Sequence, residues 1–137
     1  MQTRREMLAR SASVAAALAG LGLLPQVAQA AWSQAAFEAK NMGDLMKALG
    51  TSGPAESKDV TITGPDIAEN GAVVPVGAAT TLAGVKRILL LVEKNPSMLA
   101  ALFDVTDAVE ANISTRVKMG QSSNVIAVAI TADNKVL

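Results

Sequence analysis

The sequence predicts an all-β fold, an antiparallel β-sandwich with a short N-terminal helical arm and an incomplete last strand. Three observations carry that prediction. Between residues 57 and 137 the apolar residues either alternate with polar ones or form short runs, as strands require. Turn-forming clusters interrupt them at short intervals, among them Gly64-Pro65-Asp66, Asn70-Gly71 and Asn95-Pro96. No helical pattern separates the strand candidates, which argues against parallel crossover units and for a sandwich.

Residues 1–30 read as an export signal. Two adjacent arginines, Arg4 and Arg5, are followed by a mild apolar stretch, by Pro25 and by Ala28-Gln29-Ala30. A charged start, a short apolar middle and a small-x-small end describe a removable signal peptide, with Ala28 and Ala30 at the cleavage site and cleavage after Ala30. The paired arginines point to the twin-arginine route, which carries folded cargo. Met7 and Ala9 depart from the residues commonest in that motif. An ordinary secretory signal with two basic residues is the plainer alternative. The apolar stretch is too short for a spanning helix, so a periplasmic location with no stable membrane insertion is expected.

Residues 31–137 are enough for one domain with one core. They hold nine basic and eleven acidic residues, a net charge of −2, which gives no electrostatic footprint for nucleic acid. The sequence has no Cys, no His and no Tyr. Disulfides, the usual zinc, copper, haem and iron–sulfur ligand sets, and the Ser-His-Asp and Cys-His triads all lose their residues. No cofactor is expected. A binding or carrier module fits this composition, and an enzyme in its own right does not.

Residues 31–56 form the arm. Phe37, Met42, Leu45, Met46 and Leu49 fall roughly on one helical face, and Gly50 is placed to stop the helix in a left-handed cap. Asn41 and Gly43 predict a break, so two short helices are compatible with the pattern, with the arm packed on the domain. Residues 57–137 form the sandwich. Val60 and Ile62 alternate with Thr61 and Thr63, a half-buried strand. Residues 72–76 form the next one, where Pro75 cannot donate to a ladder and so suggests an edge or a bulge. Residues 85–93 contain five consecutive apolar residues from Ile88 to Val92, a strand buried on both faces. Residues 97–103 fit either a turn of helix or a strand with Met98, Leu99 and Leu102 inward.

Residues 109–119 alternate most cleanly. Val109, Ala111, Ile113, Thr115, Val117 and Met119 are expected inward; Glu110, Asn112, Ser114, Arg116 and Lys118 are expected outward. Residues 125–130 are a further apolar strand. Ala132-Asp133-Asn134-Lys135 forms a hairpin turn, after which Val136 and Leu137 begin another strand. Strands usually run to about five or six residues, so the sequence is expected either to be truncated here or to receive the missing strand from a partner.

The signal, the segment Ile67-Ala68-Glu69-Asn70-Gly71-Ala72-Val73-Val74-Pro75-Val76, the run Leu91-Val92-Glu93-Lys94-Asn95-Pro96 and the segment Ser114-Thr115-Arg116-Val117-Lys118-Met119-Gly120 together resemble the SoxY family. Its members are the sulfur-compound carriers of the periplasmic thiosulfate-oxidising system. The resemblance covers essentially all of residues 31–137. It implies an immunoglobulin-like β-sandwich, a complex with a SoxZ subunit, and service to several sulfur-oxidising enzymes as a substrate platform. It also implies covalent storage of intermediates on a cysteine in a flexible Gly-Gly-Cys-Gly-Gly tail after the last strand. These 137 residues contain no such tail and no cysteine, so no carrier residue transfers. The rival reading is a non-catalytic sandwich that works only through protein–protein contact.

Four residues are candidate partner contacts. Glu69 and Asn70 are either a recognition loop or a solvated turn. Arg116 and Lys118 either meet SoxZ or an anionic substrate, or are ordinary solvated charges on an open strand face.

Overall fold

The computed structural model describes residues 4–20 and 33–137. The chain divides into two compact units at Trp32–Ser33. In the first, α1 (Arg4–Gly20) begins with Arg4 and Arg5, both exposed. The small-residue site at Ala28 and Ala30 lies outside the described residues. Among those described, no helix is long and apolar enough to cross a membrane.

The second unit opens with two short helices, α2 (Gln34–Glu38) and α3 (Met42–Leu49). The Ser33 hydroxyl caps α2 by accepting from the Ala36 N–H, and the Asn41 side-chain oxygen Oδ1 caps α3 by accepting from the Asp44 N–H at 2.8 Å. The break thus falls at Asn41, while Gly43 is accommodated inside α3. Gly50 ends α3 at φ 69°, with its N–H donating to the Lys47 carbonyl and the Thr51 N–H reaching back to Met46.

Six strands follow: β1 (Val60–Thr63), β2 (Val74–Thr80), β3 (Val85–Val92), β4 (Leu99–Asp104), β5 (Asn112–Val117) and β6 (Val125–Thr131). They form two antiparallel sheets of order β1-β2-β5 and β4-β3-β6. Val74, Val76, Ala78, Ile88, Leu90, Val92 and Ala129 fill the space between the sheets. A second core, containing Leu89, Leu91, Leu99, Val128 and Ile130, lies on the opposite face of β4-β3-β6 and is covered by Ala36, Leu45 and Met46 of the helices. The consecutive apolar residues of β3 follow from this arrangement, because alternate side chains of one strand enter two different cores. The stretch at residues 97–103, open on sequence, is strand β4, and Met98, Leu99 and Leu102 face the helix-side core.

Three expectations need correction. Val109 is 57% exposed, not inward. The strand begins only at Asn112, and a turn in which the Val109 N–H donates to Thr106 breaks the alternation upstream. From Ala111 to Met119 the alternation holds, with Ile113 half-buried, Val117 buried, and Arg116 and Lys118 exposed.

The second correction concerns β2, which is longer than residues 72–76 and is the central strand of its sheet. Pro75 is tolerated there because β1 ends opposite Gly77. The Pro75 carbonyl is directed toward Gly64, beyond that end, and a residue's N–H and C=O point to the same side of a strand. The missing donor therefore faces no ladder partner. Gly77 itself sits between two strands, where a Cβ would lie 2.5 Å from Thr63 Oγ1 and 3.3 Å from the Ile113 carbonyl oxygen.

The third concerns Ile62, which shares a face with buried Ala78 yet is 43% exposed, so β1 is less buried than its alternation implies.

The closing hairpin forms. Asn134 adopts φ 60°, Val136 bridges Ile130, and Ala129 and Leu137 exchange both backbone hydrogen bonds. Val136 also accepts from the Ala55 N–H at 3.0 Å, so Val136 and Leu137 lie between β6 and the loop that follows α3.

Candidate functional site

Three loops gather at one end of the sandwich: residues 64–73 between β1 and β2, residues 93–98 between β3 and β4, and residues 118–124 between β5 and β6. They are tied across the two sheets by hydrogen bonds. The Met119 N–H donates to the Gly71 carbonyl at 2.7 Å. Asn95 uses both ends of its amide, donating from Nδ2 to the Lys118 carbonyl at 2.7 Å and accepting at Oδ1 from the Gly120 N–H at 3.2 Å. The Lys94 N–H donates to Ser123 Oγ at 3.0 Å, and Asn124 Nδ2 donates to Glu93 Oε2 at 3.0 Å.

This end brings together the candidates that lay far apart in sequence. Glu69 and Asn70 precede Gly71, which touches Met119; Lys118 is the neighbour of Met119 and is exposed. Arg116 lies on β5 opposite Pro75 and is exposed. Asn70 is committed to the turn. Its side-chain oxygen accepts from the Ala72 N–H at 2.9 Å and its carbonyl from the Val73 N–H at 3.1 Å. Gly71 does not take a left-handed conformation there. It is needed because a Cβ would stand 2.9 Å from the Met119 carbonyl oxygen. Glu69, Arg116 and Lys118 offer charge to solvent at the loop end and along the adjoining strand. Asn95 is the residue that sequence reasoning passed over. Its signal was available only in part, as an amide next to a proline in a loop between strands.

The opposite end carries a cavity of about 510 Å³ bordered by Asp59, Thr80, Val105, Asp107, Val109 and Glu110. None of the four candidates lies there. Beside Leu137 runs a groove of about 720 Å³ bordered by Met42, Pro54, Val60, Ile126 and Val128. Asp133, in the closing hairpin, accepts from the Thr131 hydroxyl at 2.5 Å. That bond, helped by its own backbone N–H and by Lys135, holds its carboxyl below the ordinary value of 3.8. Among the described residues no group of three metal-ligating side chains occurs.

The family model described as "Sulfur oxidation protein SoxY" matches residues 45–137. Among solved structures, the chain is similar to the sulfur carrier protein SoxY from Chlorobium limicola f thiosulfatophilum. The two share 32% sequence identity and a TM-score of 0.60, over 69% of this chain and 84% of that one. No curated protein matches.

Proposed function

Because this chain belongs to the SoxY family, we propose that it is the sulfur-carrier subunit of a periplasmic thiosulfate-oxidising system, without catalytic activity of its own. The match over residues 45–137 carries this reading, and the likeness to a solved sulfur carrier supports it. In this reading intermediates are held covalently on a cysteine in a C-terminal tail, where the thiolate is the nucleophile. The 137 residues themselves hold no thiol and cannot form such an adduct. The pairing of Val136 and Leu137 with β6 sets a direction that favours the reading. A strand continuing antiparallel to β6 passes Ala127 and Val125 and reaches the loop end that holds Glu69, Asn70 and Lys118. A tail leaving there emerges beside the candidate contacts, and a flexible glycine-rich arm has the reach to visit several enzymes.

The partners are a SoxZ-like subunit and the periplasmic sulfur-oxidising enzymes, with export in the folded state by the twin-arginine route. The exposed charges Glu69, Arg116 and Lys118 fit a second reading, a sandwich that acts solely through protein–protein contact. Reading the encoding DNA past the codon for Leu137 separates the two. A glycine-rich segment with one cysteine, and a sulfur adduct on it by mass spectrometry after incubation with thiosulfate and the oxidising enzymes, is the expected result. A cysteine that never acquires an adduct overturns the carrier reading.

A further inference from the structure

The step from Asn70 to Gly71 carries chemistry of its own, independent of the carrier reading. Residues 64–73 are exposed throughout. In that loop the Asn70 side-chain carbonyl is polarised by the Ala72 N–H, 2.9 Å away. The Asn70 and Gly71 backbone carbonyls are also engaged, by Val73 and Met119. The Gly71 N–H, by contrast, makes no hydrogen bond among the described residues. An electrophilic carbon with a donor on its oxygen therefore stands four bonds from a backbone nitrogen that makes no hydrogen bond, the spacing that closes a five-membered ring, with no side chain at Gly71 to crowd the approach.

We propose that Asn70 is a site of spontaneous deamidation, activated by the Ala72 N–H. The Gly71 nitrogen loses its proton to solvent base and bonds to Asn70 Cγ. The negative charge passes to Oδ1, where Ala72 stabilises it. Collapse breaks the Cγ–Nδ2 bond, and the amide nitrogen leaves as ammonia with a proton from water, giving a five-membered succinimide. Water then adds to either ring carbonyl and opens the ring, yielding aspartate or isoaspartate at position 70. No electrons are exchanged with any other group.

The other described asparagines lack this combination. Asn95 precedes Pro96, whose nitrogen has no proton. Asn112 and Asn124 precede the β-branched Ile113 and Val125. Asn41 also has a donor on its oxygen, but it precedes Met42, whose side chain crowds the nitrogen, at the head of α3. Asn134 is exposed, but the N–H of the following Lys135 donates to Thr131 Oγ1 at 3.1 Å. Both products add a carboxylate beside Glu69. Isoaspartate also lengthens the backbone by one carbon, which displaces Gly71 from Met119 and loosens the loop end.

The test uses the full chain, held at physiological temperature at neutral and mildly alkaline pH and sampled by peptide mapping. The readouts are the mass change from amide to acid and enzymatic labelling of isoaspartate. The peptide containing Asn70 is expected to convert first, faster as pH rises, with isoaspartate among the products. Ala72→Pro removes the donor to Oδ1, one solvent-exposed hydrogen bond, and is expected to slow conversion by up to about tenfold. Asn70 remaining intact while Asn134 converts overturns the proposal. So does a folded Ala72→Pro chain that converts as fast as the unaltered one.

Discussion

Asn95 shows how one polar side chain joins parts of a fold that share no covalent neighbourhood. Its amide satisfies a carbonyl and an N–H of the loop after β5, from a position on the loop after β3. Asn95→Ala removes both bonds and is expected to lower the unfolding free energy by about 1–2 kcal/mol. Urea denaturation checks this, with the midpoint falling and the slope unchanged. That role was not legible in the sequence, because Lys118 and Gly120 are placed against Asn95 only by the packing of two sheets. The turn at Asn70 was legible, since its bonds are local. Asp133 gives a second expectation. Its carboxyl is depressed in the folded chain, so its stabilising contribution is full above the ordinary value of 3.8 and is lost as pH falls through the lower folded value. Asp133→Asn removes that dependence. The melting-temperature gap between the two chains should stay constant above the ordinary carboxylate range and close below it.

The strands differ in how plainly their patterns announced them. β3 was legible because a strand covered on both faces must be apolar at consecutive positions. Leu89 and Leu90 are each fully buried, one in each core. Leu90→Ala should cost about 2–5 kcal/mol, since it leaves a cavity between the sheets. On the same strand, Arg87 pairs with Asp104 of β4 at 2.9 Å with both side chains substantially exposed. Arg87→Ala should cost about 1 kcal/mol or less. Equilibrium unfolding of the two variants measures the contrast, and similar losses would contradict the assignment of β3 as the shared strand. β2 was misread because Pro75 excludes a neighbour only where one reaches it, and β1 stops opposite Gly77; Val109 was misread for another reason. Alternation counts residues without knowing where a ladder begins, and the start of β5 is set by its pairing partner Ala79, not by its own composition.

At the scale of the molecule, the carrier reading joins a family match, a fold and a direction of chain travel. Its export arm is testable apart from its chemistry. Replacing Arg4 and Arg5 together by lysine should leave precursor in the cytoplasm, seen by fractionation and immunoblotting. Unimpaired export of that double variant would show that another route is used. The four candidate contacts were chosen on exposure and turn chemistry, and the fold gathers them at one end. That outcome was beyond sequence reasoning, because it depends on which strand ends share a side of the sandwich.

The helical arm and the outer sheet rest on opposite faces of β4-β3-β6. Strand β3 serves both sides, sending Leu89 and Leu91 to the core under the arm and Leu90 and Val92 to the core between the sheets. Peeling Leu45 and Met46 away would wet Leu89 and Leu91 while Leu90, one residue along, stayed dry. A strand with aliphatic side chains at consecutive positions has no polar face to offer water once its cover is gone. The arm is therefore a third layer whose loss turns an apolar sheet face to water, and the second unit is expected to unfold in a single transition, with helix and strand signals lost together.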